Sequence, residues 1–363
     1  MLRINFLFPM EGTHPIGGYK VAYEFANYLS ARGHRVRLVH AVRAPALAEG
    51  ASLVTALKHH YRVLRKWFLL GRSGIRPDSW FQLDSRIAVL WRPSLSPLFI
   101  PDADFTVATA WNTAERLPGF PAAKGRGLYL VQNDERLFDG VDPRRVERTW
   151  RLGLNMVVTG TWLAALCGGP DAKITVVGQG VDYAGAPKFT GAESKIPRSI
   201  IMMYHGSSWK RSADGIAAIR RCEERIGPLH VTLFSVYPRP AGLPAHWCFL
   251  HAAPQAEITR AYAEAAVFLS PSLTEGFALP PCEAMLAGCG CVLTRIGGHL
   301  DAGIDRETAV LCAVGDIAGM ADALVSLLEN EALRRSLAEN ARRHIAGFTW
   351  ARAGAVFERA LLP

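Results

Sequence analysis

This 363-residue sequence has no run approaching the ~20 uninterrupted apolar residues that a membrane-spanning helix needs, so a protein crossing the bilayer by helices is not expected. Nor does its start build a signal peptide. Arg3 precedes only Ile4 to Met10, and Pro9 and Glu11 break that run before an apolar core is complete, so the expected location is the cytoplasm. Cysteine is sparse and odd in number. Cys167, Cys222, Cys248, Cys282, Cys289, Cys291 and Cys312 offer no C-x-x-C ligand spacing, and all seven are read as reduced thiols. Low hydrophobicity with high net charge, the signature of disorder, is missing: 50% of residues are hydrophobic and 20% charged. The glycine fingerprint G-x-G-x-x-G is absent too, which removes the main support for a nicotinamide nucleotide.

What the sequence does contain is β/α alternation, twice. Leu2 to Phe8 reads as a buried strand, Glu11 to Gly18 as a loop, Tyr19 to Arg32 as a helix closed by Gly33, and Val36 to His40 as a second strand. Strand, loop, helix and strand within about 40 residues make a βαβ unit, the building block of a parallel sheet. Further strands are expected at 105–108, 127–131 and 156–159. A second series follows at 199–203, 230–234, 266–270 and 290–293. Between the series lies the Gly- and Pro-bearing stretch Gly178 to Pro197. The expected fold is α/β, with two doubly wound domains facing across a cleft.

Charge is unevenly placed. Residues 1–178 hold 23 Lys and Arg against 14 Asp and Glu, the entire net surplus of +9. The stretch Leu57 to Leu70 concentrates it: Leu57, Tyr61, Leu64 and Phe68 recur at helical spacing, with Lys58, Arg62, Arg65 and Lys66 off that line. Such a helix can lie on an anionic bilayer, or its apolar line can pack on the first sheet with its cations solvated. Nucleic acid is not expected as a partner, because no aromatic-interleaved platform or recognition motif accompanies the charge.

The richest chemistry lies in Ser270 to Met285, which runs from a strand into a helix. Such a junction in an open α/β sheet presents unpaired N–H groups to a ligand. Glu275 stands before the helix and Glu283 inside it, so the two carboxylates can grip different parts of one elongated ligand. Vicinal hydroxyls, as in a sugar or ribose, suit them. Gly276 permits close backbone approach. With Pro271-Ser272 ahead and Gly297-Gly298 behind, the stretch resembles the E-x7-E signature of the retaining GT-B glycosyltransferases of family 4, the group 1 glycosyltransferases. Gly178-Gln179-Gly180-Val181-Asp182 resembles that family's interdomain segment, and Phe348-Thr349-Trp350 the segment before its last helix.

The resemblance implies a GT-B fold with an acceptor-side domain at 1–178, a donor-side domain at 179–347, and a C-terminal helix (about 348–363) crossing back to the first. It implies hexosyl or deoxyhexosyl transfer from a nucleotide diphosphate sugar to a glycan or lipid-linked acceptor hydroxyl, with retention. No cofactor or metal is implied, consistent with no D-x-D in the segments expected to line the cleft. Glu275, helped by the backbone of Gly276, Phe277 and Ala278, would contact the transferred sugar, and Glu283 the ribose. Lys210 fits the family's phosphate-binding Lys. Ser207 stands where an Arg is usual, so Arg211, or Ser207 with backbone amides, would supply the second contact. Gly17 and Gly18 resemble the family's N-terminal glycine loop, facing the diphosphate. Where many members have a His, this sequence has Gln132-Asn133-Asp134-Glu135; Asp134 or Glu135 could orient the acceptor hydroxyl, or serve as a helix N-cap. Two other classes remain open at this point: an epimerase or hydrolase of sugar nucleotides on the same fold, with a base at Asp134 or Glu135, and a non-catalytic binding subunit.

Overall fold

The computed structural model of the chain describes residues 1–12, 16–42, 53–73, 77, 80–169, 172–181 and 194–362. His14 and Pro15 of the glycine loop and Asp182 of the interdomain motif lie outside them. The first sheet contains β1 (Arg3–Phe8), β2 (Arg35–Ala41), β3 (Ala88–Arg92), β4 (Phe105–Ala108), β5 (Arg126–Val131), β6 (Asn155–Val158) and β7 (Ile174–Val176), in the order β3-β2-β1-β4-β5-β6-β7. The second contains β8 (Ser199–Met203), β9 (His230–Ser235), β10 (Cys248–His251), β11 (Val267–Ser270), β12 (Gly290–Thr294) and β13 (Val310–Cys312), ordered β10-β9-β8-β11-β12-β13. Every pairing is parallel. Central strands are buried on both faces, which is why they read as unbroken apolar runs. Phe6 and Phe8 enter one core cluster and Leu7, between them, the cluster on the opposite face; Met202 and Ile201 divide in the same way.

Helices cover both faces. In the first half they are α1 (Gly17–Ala31), α2 (Leu53–Ser73), α3 (Trp111–Ala114), α4 (Pro143–Thr149) and α5 (Thr161–Cys167). In the second they are α6 (Ser212–Ile226), α7 (Gln255–Glu264), α8 (Leu279–Leu286), α9 (Gly297–Leu300), α10 (Ile317–Glu329) and α11 (Glu331–Ile345). The last helix, α12 (Trp350–Leu361), returns to the first domain. Its Phe357 stacks on Phe25 at 4.6 Å, its Trp350 meets the same ring edge-on, and Glu358 accepts from Arg32 and bonds His34. Burying Trp350, Phe357 and Leu361 there stabilises the crossing by about 1.5–3 kcal/mol each.

The two segments singled out around the domain junction meet. Val181 donates to the Phe348 carbonyl, and Gly180 lies so close to Trp350 that a Cβ would fall 2.3 Å from the Trp350 nitrogen. Cys289 and Cys291 are buried thiols in and beside β12, as the composition suggested.

The helix at 57–70 corrects one of its two readings. Leu57, Tyr61, Leu64 and Phe68 are not buried on the sheet; half or more of each is exposed to solvent. A second line, Val63, Trp67 and Leu70, is the half-buried side, and Trp67 Nε1 donates to the Trp91 carbonyl of β3.

Candidate active site

The second sheet reverses its winding between β8 and β11, and loops leaving the carboxyl ends of those strands diverge to open a crevice. One loop delivers Lys210, on a short 3-10 turn after β8; the other delivers Glu275. The two side chains close over the crevice. Lys210 Nζ donates to both Glu275 oxygens, at 2.7 and 2.8 Å, and Ser272 Oγ donates to Oε1 at 2.7 Å. Burial opposes charge on Glu275, but the Lys210 ammonium, His299 and the Ser272 hydroxyl together outweigh it and hold the carboxyl below its usual range. Behind Glu275 sits buried His299, its Nδ1 2.7 Å from the Thr294 carbonyl and its Nε2 3.2 Å from Ser270 Oγ. Burial lowers the His299 pKa, and the Glu275 carboxylate and the Thr294 carbonyl oppose that shift.

Gly298 explains how the Glu275 loop fits: a Cβ there would lie 2.0 Å from the Glu275 carbonyl oxygen. On the cleft side, a Cβ at Gly276 would lie 1.8 Å from the Gln132 carbonyl oxygen of the first domain. Trp162 Nε1, also from the first domain, donates to the Gly276 carbonyl at 2.9 Å. Further cross-domain bonds run from Thr274 Oγ1 to Asn133 Oδ1 and from Thr161 Oγ1 to Asp301 Oδ1. Ser208 Oγ donates to Asp139 at 2.6 Å, and Phe138 stacks on Trp209 at 4.7 Å, beside Lys210.

Glu283 projects from α8 and meets Lys20 of α1 across the cleft, with 3.7 Å between Nζ and Oε1. Burial lowers the Lys20 pKa, and the carboxylates of Glu283 and Glu24 oppose that. Phe277 is buried against Phe348, so only its backbone faces the site. Ala278 holds a left-handed conformation (φ 60°) as the residue before α8. Pro280 and Pro281 follow Leu279, so of the first three helical residues only Leu279 carries an N–H. Anion-binding capacity at this helix start therefore narrows to Ala278 and Leu279.

The remaining expected residues lie around this centre. Gly17 and Gly18 open α1, and Gly18 faces the Gln132 side chain. Gln132 Nε2 donates to the Thr109 carbonyl, while its Oε1 is buried with no hydrogen-bond donor among the described residues. Ser207 precedes the Lys210 turn and donates through its backbone to His205 Nδ1; burial and Lys210 lower the His205 pKa. Arg211, left-handed at φ 47°, bonds Asp214 and lies against Gly315.

Asp134 is buried and held by Arg136 through Nε and Nη2, each at 2.8 Å, while its side chain also caps the turn at Glu135 to Leu137. Its oxygens are thus committed to the protein. Glu135 accepts from the Tyr129 hydroxyl and the Trp111 N–H, and burial pushes its pKa up to about 7.

Sequence reasoning missed Lys20, Ser272 as a partner of Glu275, Trp162, Asp301 and His299. The paired Gly297-Gly298 was the one local signal. Asp102-Ala103-Asp104 is an Asp-x-Asp, but it lies at the opposite end of the first sheet, where Asp102 bonds Lys124 and Asp104 bonds Arg3.

Comparison with known proteins bears on the fold and on the family of the second half of the chain. Residues 239–344 match the family model of glycosyl transferases group 1, a span holding Glu275 and Glu283. A D-inositol 3-phosphate glycosyltransferase of Corynebacterium diphtheriae is 37% identical over 120 residues, 33% of this chain and 28% of that protein. An N-acetyl-alpha-D-glucosaminyl L-malate synthase of Bacillus anthracis is 41% identical over 71 residues, 20% of this chain and 19% of that one. The chain thus matches less than a third of these relatives' length. Among solved structures, a mutant of S. aureus TarM in complex with fondaparinux, alpha-GlcNAc-glycerol and UDP aligns over all of both chains, with a TM-score of 0.72 at 10% identity. Anabaena HepE in complex with UDP-glucose aligns over 99% of this chain and 98% of its own, with a TM-score of 0.67 at 15% identity. The fold is GT-B, and its second domain carries the group 1 glycosyl transferase match.

Proposed function

We propose that the chain transfers a hexosyl or deoxyhexosyl group from a nucleotide diphosphate sugar to an acceptor hydroxyl, with retention of anomeric configuration. The observation that carries this reading is the Lys210–Glu275–Ser272 cluster at the reversal point of the second sheet, with Glu283 one helix turn into α8. Donor-side binding belongs to residues 179–347, and acceptor binding to 1–178 with the returning α12.

Glu275 accepts hydrogen bonds from donor-sugar hydroxyls, and Glu283 accepts from the ribose. Lys210 neutralises the diphosphate as the glycosidic bond breaks, with the Ala278 and Leu279 N–H groups as fixed donors, and no metal is invoked. Gln132 offers its buried Oε1 to a hydroxyl on the sugar or acceptor. The acceptor hydroxyl then attacks from the face the leaving group departs, and its proton passes to the departing diphosphate oxygen. Asp134 positions the 133–137 turn rather than handling protons. The +9 surplus of the first half suits an anionic or lipid-linked acceptor. The relatives named for inositol 3-phosphate and for malate point the same way.

The deciding experiment screens nucleoside diphosphates by thermal shift, then follows nucleoside diphosphate release from the matching sugar donor, with and without EDTA. Stabilisation by one nucleotide and EDTA-insensitive turnover are expected. No stabilisation by any nucleoside diphosphate overturns the reading.

A further inference from the structure

The exposed line of α2 has an occupant that its chemistry identifies. Leu57, Tyr61, Leu64, Phe68 and Leu69 are 62, 67, 50, 57 and 55% exposed. The first four lie along one helix face, and a contiguous apolar strip of that kind marks a contact surface, unlike scattered single residues. The helix is held by its other side, through Val63, Trp67 and Leu70, the Trp67–Trp91 hydrogen bond, and an ion pair from Lys66 to Glu11 at 2.8 Å. Its exposed line is therefore presented by a fixed element.

Charge selects the partner. Residues 53–73 include Lys58, Arg62, Arg65, Lys66 and Arg72 and no acidic residue. Lys58, Arg62 and Arg65 are exposed beside the apolar line. A second copy of the chain would bring the same cations against themselves across a two-fold contact, which is repulsive. An anionic bilayer takes both features at once, with phosphates for the cations and the acyl boundary for the apolar side chains. We infer that α2 lies in the plane of an anionic membrane surface, with Leu57, Tyr61, Leu64 and Phe68 inserted and Lys58, Arg62 and Arg65 on lipid phosphates.

Placement adds a consequence. Glu11, to which Lys66 is tied, belongs to the loop between β1 and α1, on the cleft side of the first sheet. Docking through α2 thus sets the cleft mouth at the lipid surface, where a membrane-held molecule can reach it.

The test sediments the full chain with vesicles of phosphatidylcholine alone or mixed with phosphatidylglycerol. Binding should require phosphatidylglycerol and weaken with added salt, since exposed charges are screened over ~8–10 Å at physiological ionic strength. Leu64→Ser with Phe68→Ser should weaken it more than ~tenfold. Lys58→Gln, Arg62→Gln and Arg65→Gln together should weaken it by on the order of a hundredfold. Arg144→Gln with Arg148→Gln, exposed cations on α4, should leave it unchanged. Every altered side chain is exposed, so melting temperatures, measured alongside, should fall only slightly and show that each variant is folded. Absence of lipid binding at low salt overturns the inference, as does binding indifferent to the serine pair. So does a wild-type dimer in sedimentation velocity that the serine pair converts to monomer. None of these readouts depends on sugar transfer.

Discussion

Replacing Gly276 with alanine tests whether the two domains must meet where the structure joins them. The added Cβ would sit 1.8 Å from the Gln132 carbonyl oxygen and 3.0 Å from its carbon. A carbon tolerates a carbonyl oxygen at about 3.3 Å, so the two backbones must part by roughly 1.5 Å. The Glu275 loop cannot retreat, because Gly298 already lies against the Glu275 carbonyl from behind. The cleft must open instead, stretching the Trp162–Gly276 hydrogen bond. Each domain keeps its own core clusters, so the melting temperature should change little. Lys210, Glu275 and Glu283 all ride on the second domain and only Lys20 of the proposed nucleotide contacts rides on the first, so nucleoside diphosphate affinity should fall far less than turnover. Alignment of donor with acceptor should suffer, and a displacement near 1 Å costs on the order of a hundredfold in turnover. Calorimetric titration of the nucleotide, beside steady-state transfer kinetics, separates the two effects. A Gly276→Ala enzyme with wild-type kcat, or one that loses nucleotide affinity while keeping kcat, refutes the reasoning.

If Lys210 neutralises the diphosphate as proposed, Lys210→Ala should lower kcat/KM by about a hundredfold or more, because among the described residues it is the Lys or Arg bonded to Glu275. Arg211→Ala should cost less than about fivefold, since Asp214 of α6, apart from the Glu275 cluster, already bonds that side chain, and a loss equal to that of Lys210→Ala would make Arg211 the second phosphate contact. Glu135 gives a pH signature. Its carboxyl is pushed up from 4.5 to about 7 by burial, so its contribution is fully present below pH ~4.5 and is lost as pH rises through ~7. Denaturant unfolding at pH 5 and pH 8 should show a decline for the wild type that Glu135→Gln reduces by about 1–3 kcal/mol; identical pH slopes in the two proteins would remove Glu135 as its source.

How far the sequence could be read depended on whether a feature is local. The strands recognised are the inner ones of both sheets, buried on both faces and so written as continuous apolar runs. The four that escaped, β3, β7, β10 and β13, are the four edges. An edge strand is covered on fewer sides, and residues such as His251 and Arg92 leave no run or clean alternation to detect. Glu275 and Glu283 were legible because one strand, loop and helix carries both. Lys20, Trp162 and Asp301 were not, because each acquires its partner from the other domain. In α2 the periodicity was visible but its direction was not. The segment holds two apolar lines, and only the position of Trp91 decides that the one with Trp67 faces inward.

The cleft also poses an electrostatic problem whose solution is testable. Lys210 is bonded to Glu275, Arg211 to Asp214, and Lys20 lies against Glu283, so a bare diphosphate enters a site whose cations are already matched. At an effective dielectric of ~20 a charge pair 4 Å apart is worth about 4 kcal/mol, and a phosphate must offset that loss to take a cation from its carboxylate. A ligand that also carries hydroxyls has another route. Ribose hydroxyls can satisfy Glu283 by hydrogen bonds worth about 1.5–3 kcal/mol, leaving the Lys20 ammonium to the phosphates. Inorganic pyrophosphate should therefore bind at least ~tenfold more weakly than the cognate nucleoside diphosphate. Glu283→Ala should move the two ligands in opposite directions. The nucleotide loses its ribose contact and weakens, while pyrophosphate no longer competes with the carboxylate for Lys20 and tightens. Titration calorimetry on both proteins reads both affinities. If pyrophosphate and nucleotide bind equally well to the wild type, or shift together in Glu283→Ala, then Glu283 neither holds the ribose nor restrains Lys20.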